Sequence, residues 1–159
     1  MQESKYRKCV GIVLFNDERK VLVGKRRDYS SEAWQLPQGG VDEGESYEQA
    51  LFREMTEEIG TDKAEIIAPL PNRLRYDLPQ KLQGKLWGGK FVGQEQQWFL
   101  MHFIGEEDDI NINTEEPEFV EYRWVPLPQC IDLIVEFKRD VYKKLIEHFA
   151  PIIDNYEIK

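Results

Sequence analysis

Two spacings of apolar residues divide the chain. Cys9-Val-Gly-Ile-Val-Leu-Phe15 and Lys20-Val-Leu-Val-Gly-Lys-Arg26 are runs rich in aliphatic residues. The polar turn Asn16-Asp17-Glu18 joins them, which predicts an opening hairpin. A polar loop over 28–32 leads to a short strand, Trp34-Gln-Leu36, ended by Pro37, and Gln38-Gly39-Gly40 reads as a flexible hinge. Over 46–59 the spacing becomes helical. Ser46 is a suitable N-cap, Gln49 completes a capping box, and Gly60 stands where a C′ glycine belongs. At 100° per residue, Leu51, Met55, Ile59 and Phe52 fall within an arc of about 100° that requires a core to face. Glu54, Glu57 and Glu58 form a separate carboxylate stripe beside it.

Further strands are predicted over 65–70 and 74–77 around Pro71, with a loop containing Gly and Lys over 79–94. A strong strand follows over 97–104, then an acidic loop and a strand over 122–125. Pro126 and Pro128 introduce a short helix near 131–135, and residues 139–153 have the pattern of an amphipathic C-terminal helix. Strands and helices mix without strict alternation. This predicts an α/β sandwich rather than a doubly wound sheet. With no repeat or linker, residues 1–159 are expected to form one domain.

Composition narrows the class. At 41% hydrophobic and 12% aromatic residues, a disordered chain is excluded. No apolar run approaches the roughly 18–20 residues of a membrane span. The polar start, Met1-Gln2-Glu3-Ser4-Lys5, lacks the apolar stretch of a signal peptide. Two cysteines, Cys9 and Cys130, are too few for a disulfide framework and are expected to be buried thiols in a reducing cytoplasm.

The net charge of −9 is unevenly placed. Residues 1–27 hold 8 basic and 3 acidic groups, and residues 28–66 hold 2 and 11. Residues 67–94 hold 5 and 1, residues 95–122 none and 9, and the remainder balances. Acidic and basic blocks therefore alternate, and this alternation calls for a chemical explanation.

Three glutamates at i, i+3 and i+4 crowd like charge onto one helix face, at a cost of a few tenths of a kcal/mol per pair when exposed. Either the face is simply solvated, or a cation neutralises it. Oxygen ligands of this kind suit Mg²⁺ or Mn²⁺. The full segment runs from Gly39 to Thr61 and resembles the box of the Nudix hydrolases, Gly-x5-Glu-x7-Arg-Glu-U-x-Glu-Glu-x-Gly-U, where U is a large aliphatic. Gly39, Glu45, Arg53, Glu54, Met55, Glu57, Glu58 and Gly60 match in register, and only Thr61 departs, at the last aliphatic position. The similarity extends to Tyr6-Arg7, Trp34-Gln-Leu-Pro-Gln-Gly-Gly40, Leu74-Arg-Tyr-Asp-Leu-Pro79, Gly93-Gln-Glu-Gln-Gln-Trp-Phe-Leu100, Pro117-Glu-Phe119 and Phe137-Lys-Arg-Asp-Val-Tyr142. These segments resemble the bacterial RNA pyrophosphohydrolases and, equally, the asymmetric diadenosine tetraphosphate hydrolases. The insert Lys85-Leu-Trp-Gly-Gly-Lys90 is more similar to the latter.

The resemblance implies an α/β/α sandwich with a mixed central sheet and a loop–helix–loop box. It implies water attack on a phosphorus of a polyphosphate, with more than one Mg²⁺ or Mn²⁺ ion. Substrates would be 5′-triphosphorylated RNA ends, diadenosine tetraphosphate, or both. No membrane and no obligate protein partner enter this expectation. Glu54 and Glu58 are the expected principal ligands, and Glu57 is either a ligand or the general base. Gly39 either lends its carbonyl to the metal or serves conformation. Arg53 orients a carboxylate, Glu45 supports the loop–helix junction, and Glu118 is the second candidate base. The rest of that second acidic block, residues 106–109 above all, is expected to be solvated.

Arg7, Arg26, Arg27, Arg75, Lys138 and Arg139 are candidates for phosphate contact, and Lys85 and Lys90 flank a loop suited to reach terminal phosphates. Arg7, Lys138 and Arg139 match the relatives' pattern, and Arg27 is a nearer match than Arg26. Tyr76 and Phe137 are candidates for stacking a base. Trp34, Trp98 and Trp124 sit in strand contexts that favour packing, and neither His102 nor His148 has metal spacing. Two other classes stay open: a nucleoside-triphosphate sanitising hydrolase, and a nucleotide-sensing module without turnover.

Overall fold

Strand β1 (Tyr6–Phe15) lies within an eight-stranded mixed sheet, in a computed structural model that describes residues 5–27, 34–83, 90–115 and 117–158. From Cys9 onward every residue of β1 is buried, as in a strand covered on both faces. The remaining strands are β2 (Val21–Arg26), β3 (Trp34–Gln35), β4 (Gln38–Gly40), β5 (Ala64–Pro69), β6 (Leu74–Asp77), β7 (Gly93–Phe103) and β8 (Phe119–Val125). β1 pairs parallel to β7, from Tyr6↔Gly93 to Phe15↔His102. β5 and β6 pair antiparallel with β7, and β3 and β8 with β2.

Alternation along β1 and β7 feeds two cores. Val10, Ile12, Leu14, Phe99, Met101 and Phe103 pack with Ala50, Leu51, Met55 and Ile59 of α1 (Tyr47–Ile59). Val13, Phe15, Trp98 and Leu100 pack in the other core with Cys130 of α3 (Cys130–Leu133) and with Val141, Leu145 and Phe149 of α4 (Arg139–Asn155). A single turn, α2 (Gln80–Gln83), follows β6. The result is the expected α/β/α sandwich. No helix among the described residues is long and apolar enough to cross a membrane.

The box helix forms as its ends dictate. Ser46 Oγ accepts from the Gln49 N–H, Gln49 Oε1 accepts from the Ser46 N–H, and Gly60 closes the helix at φ 77°. Other expectations need correction. The Gln38–Gly40 hinge is strand β4, paired with Gly11, Val10 and Cys9. Its glycines suggest flexibility, but the buried backbone of β1 requires partners, and β4 supplies them. The opening turn forms, yet β1 and β2 pair only at Phe15↔Val21. Beyond that point β4 pairs with β1, while β3 and β8 pair with β2.

The run over 106–109 is not merely solvated. Glu107 accepts from Tyr122 Oη and Trp124 Nε1, both at 2.6 Å, and Asp109 pairs with Lys63 at 2.9 Å. His102 is buried, stacks on Phe15 and lies 2.8 Å from Asp17 Oδ1. Burial pushes the Cys9 and Cys130 thiols up to about 11 and about 12, so both stay protonated.

Leu51→Ala should cost about 2–5 kcal/mol, since Leu51 is fully buried between helix and sheet. Ser46→Ala should cost about 1 kcal/mol through loss of the cap. Urea denaturation measures both, and a cost for Leu51→Ala no larger than that of the cap contradicts this packing.

Candidate active site

Strand β4, the loop after it and helix α1 meet at one guanidinium. Arg53 donates from Nε to Glu45 Oε2 at 2.7 Å and from Nη2 to Glu45 Oε1 at 2.8 Å, a two-pronged pair. Nη2 also reaches the Gly40 carbonyl at 2.8 Å, and Nη1 reaches Glu54 and Glu57 at 2.9 and 3.1 Å. The expected orienting contact of Arg53 is therefore shared among three glutamates and the backbone of β4. Glu45 also accepts from the Asp42 N–H. Together, first Arg53 and then that N–H hold its carboxyl down at about 2.

The carboxylate stripe is graded in depth. Glu57 is exposed, Glu54 half-buried and Glu58 buried. Burial pushes Glu54 up to about 7, against the opposing pull of Arg53. Its carboxylate lies so close to Gly39 that a side-chain carbon there would overlap it. Glu58 is raised well above 4.5, first by burial and then by the charges of Glu54 and Glu118. The Gln38 N–H donates to its carboxylate, but Oε2 has no partner among the described residues. A cleft of about 510 Å³ opens here, lined by Glu54, Glu57, Glu58, Thr114, Glu115 and Glu118.

These donors fit a hard divalent cation. All are oxygens, one buried carboxylate oxygen is unpartnered, and the missing side chain at Gly39 gives close access to Glu54. Among the described residues no three His, Cys, Asp or Glu side chains converge into a finished cage. Mg²⁺ does not require one, because it retains waters and draws its remaining ligands from phosphate oxygens.

Arg7 and Arg26 lie close enough to Glu54 and Glu58 to oppose their rise in pKa. Arg7 sets its guanidinium against Gly40 of β4, where an added side-chain carbon would meet it. Lys138 is buried, its ammonium 5.6 Å from the Tyr76 ring centre and 5.9 Å from that of Phe137. The two rings lie 5.7 Å apart; Tyr76 is buried and Phe137 half-buried. Arg26 lies near enough to Glu58 to lower its pKa, although Arg27 is the nearer match to the relatives' pattern. Arg27 is exposed, and its N–H donates to the Glu118 carbonyl at 2.9 Å, tying the second acidic segment to the end of β2.

Arg139 and Lys90 are exposed at the start of α4 and before β7, and Lys85 lies outside the described residues. Arg75 is not brought to this face. It alternates away from Tyr76, pairs with Glu95 at 3.4 Å and lies over the Tyr6 ring. Sequence reasoning passed over Gln38, Gln94 and Gln96, which hydrogen-bond in a row beside Tyr76. The available signal was a pair of glutamines at period two, Gln94 and Gln96, in register with Trp98 and Leu100 of the same strand.

Residues 5–145 match the NUDIX domain. The chain is 50% identical over 153 residues to an RNA pyrophosphohydrolase of Wolbachia pipientis subsp. Culex pipiens (strain wPip), covering 96% of this chain and 94% of that protein. It is 52% identical over 150 residues to an RNA pyrophosphohydrolase of Sphingopyxis alaskensis, covering 93% and 95%. Among solved structures, the E. coli dihydroneopterin triphosphate pyrophosphohydrolase superposes with a TM-score of 0.70 at 23% identity, covering 89% of this chain and 97% of that one. A C. elegans Ap4A hydrolase binary complex superposes at 0.66 with 20% identity, covering 91% and 98%. The two solved structures bear on the fold alone. The domain match and the half-identical relatives span nearly the whole chain, box and cleft included, and the chain belongs to the Nudix family.

Proposed function

We propose that this protein is a cytoplasmic, metal-dependent pyrophosphohydrolase that removes pyrophosphate from 5′-triphosphorylated RNA ends. The observation that carries the reading is the cleft itself. A carboxylate cleft with a buried oxygen unpartnered among the described residues lies close to Arg7 and Arg26, and the same sheet carries the Lys138, Tyr76 and Phe137 cluster, in a chain half identical to RNA pyrophosphohydrolases over nearly its whole length. Diadenosine tetraphosphate is a second substrate, favoured by the Lys85-Leu-Trp-Gly-Gly-Lys90 insert.

Glu54 and Glu58 would hold the cations, with Glu57 and the Gly39 carbonyl completing the set. Bound Mg²⁺ or Mn²⁺ neutralises phosphate charge and acidifies water. Arg7, Arg27, Lys138 and Arg139 bind the phosphate chain, with Lys90 and Lys85 toward its end, and Phe137 and Tyr76 offer faces to a base. Water forms a new P–O bond and passes its proton to Glu57 or Glu118. The electron pair of the broken P–O bond leaves with pyrophosphate, so a monophosphorylated RNA end remains. Arg53 contributes by holding the carboxylates in register with β4.

Comparing initial rates on triphosphorylated RNA, diadenosine tetraphosphate and free deoxynucleoside triphosphates tests the reading. Pyrophosphate from RNA and ATP plus AMP from the dinucleotide are expected. Faster cleavage of free deoxynucleoside triphosphates favours a sanitising enzyme, and no turnover with either metal favours a sensor. Glu57→Gln and Glu58→Gln should each lower turnover by about 10²–10⁴-fold while the fold persists. Near-normal rates in both contradict the site.

The raised Glu58 carboxyl also predicts a pH effect without metal. A carboxyl raised on folding stabilises the protonated native state below about pH 4.5, and that contribution is lost as pH rises through the raised value. Metal-free wild type should therefore lose melting temperature as pH rises above about 4.5, whereas Glu58→Gln should show a flatter profile. Added Mg²⁺ should raise the wild type's melting temperature at the higher pH values and leave the variant's nearly unchanged. Parallel profiles for the two proteins contradict the placement of Glu58.

A further inference from the structure

On the sheet face that carries Arg7, strand pairing sets several polar side chains in rows. Arg7 is level with Gln94, Cys9 with Gln96 and Gly11 with Trp98; on the other side of β7, Tyr76 is level with Gln94. Across β1, Gly11 is level with Gln38. The side chains form one hydrogen-bonded network. Trp98 Nε1 donates to Gln96 Oε1 at 3.0 Å, and Gln96 Nε2 donates to Gln94 Oε1 at 3.0 Å and to Gln38 Oε1 at 2.7 Å. Tyr76 Oη donates to Gln94 Oε1 at 2.8 Å.

The direction of every bond in this network follows from one residue. An indole N–H can only donate, so the Gln96 atom facing it must be the carbonyl oxygen. Gln96 then has only its two amide hydrogens for Gln94 and Gln38, and each of those must turn its own carbonyl oxygen inward. Flipping any amide would set donor against donor in a site where Gln94 is 3%, Gln96 1% and Trp98 0% exposed. Trp98 is itself locked. A side-chain carbon at Gly11 would overlap its ring, and Tyr142 packs edge-on against it at 6.1 Å.

With both oxygens turned inward, the amide nitrogens of Gln38 and Gln94 have no hydrogen-bond partner among the described residues. Their position makes this consequential. Gln38 gives its backbone N–H to Glu58, and its neighbour Gly40 lies under the Arg7 guanidinium. Gln94 shares its oxygen with Tyr76, whose ring lies beside Lys138.

We infer that the side-chain amides of Gln38 and Gln94 form a neutral donor subsite for non-bridging phosphate oxygens, oriented by the indole of Trp98. Gln38 serves the phosphates nearest the carboxylate cleft, and Gln94 those nearest Arg7 and Lys138. Neutral donors suit this place. They bind an anion without becoming tied to the adjacent glutamates, as Arg53 is. Gln38 and Gln94 are binding residues, whereas Gln96 and Trp98 are positioning residues. The inference rests on the cleft being a polyphosphate site.

Gln38→Glu and Gln94→Glu test it, because each keeps an oxygen for Gln96 and replaces the outward donor by a charge that repels phosphate. For triphosphorylated RNA each should raise KM about tenfold or more with kcat within about threefold, the signature of lost uniform binding. Trp98→Phe keeps an aromatic ring but frees Gln96 to flip, and should raise KM severalfold. Calorimetric titration with inorganic pyrophosphate and Mg²⁺ gives a readout independent of turnover. Weakened pyrophosphate binding in both glutamate variants, at melting temperatures near wild type, supports the subsite even if wild type fails to cleave RNA. That failure would instead count against the hydrolase reading. A wild type that turns over RNA, with KM and pyrophosphate affinity unchanged in both variants, overturns the subsite and leaves the hydrolase reading intact.

Discussion

The five hydrogen bonds of the Arg53 guanidinium hold together the parts on which function depends. One planar group bridges the loop before α1 through Glu45, strand β4 through the Gly40 carbonyl, and the helix's own stripe through Glu54 and Glu57. A lysine could not do this, because its ammonium has neither the fork nor the five donors. Three glutamates on one helical face repel each other, and Arg53 compensates two of them without covering the third. Glu58 stays buried with an oxygen unpartnered among the described residues, open to a ligand carrying positive charge.

The acidic protein thus reconciles two demands. Its box carboxylates line one wall, with Arg7 and Arg26 close enough to act on Glu54 and Glu58 and with Lys138 beside Tyr76 on the sheet; on the proposed reading, a polyphosphate meets repulsion only where a divalent ion can intervene. β1 links the two groups. Its backbone pairs with β4, which carries the backbone of Gln38, Gly39 and Gly40 to the carboxylates, and with β7, which aligns Gln94, Gln96 and Trp98. Displacement of β1 would disturb both groups together.

Much of this was legible in the residue order. The capping box at Ser46, the αL glycine at Gly60 and the apolar stripe are local signals, and α1 follows them. The aliphatic run from Cys9 to Phe15 announced a strand, whereas its burial on both faces emerges only with the packed sheet. What local pattern could not convey was pairing across long sequence separations. Gln38-Gly39-Gly40 has the composition of a hinge and becomes a strand only because β1 lies beside it. Arg75 and Tyr76 are adjacent in sequence, but alternation sends them to opposite faces. The glutamine network was invisible for the same reason, since Gln38 and Gln96 are 58 positions apart. The membership of the box could be read from spacing, whereas the grading of its three glutamates by depth could not.

The central claim is that the Glu54, Glu57 and Glu58 wall takes up a divalent cation. Electron paramagnetic resonance of free Mn²⁺ tests it directly, because the sharp signal of the aqueous ion diminishes on binding. Addition of wild-type protein at about pH 8, above the raised Glu54 pKa of about 7, should deplete the signal, and addition of Glu58→Gln should leave it largely intact. Equal depletion by both proteins, or none by wild type, would contradict the account.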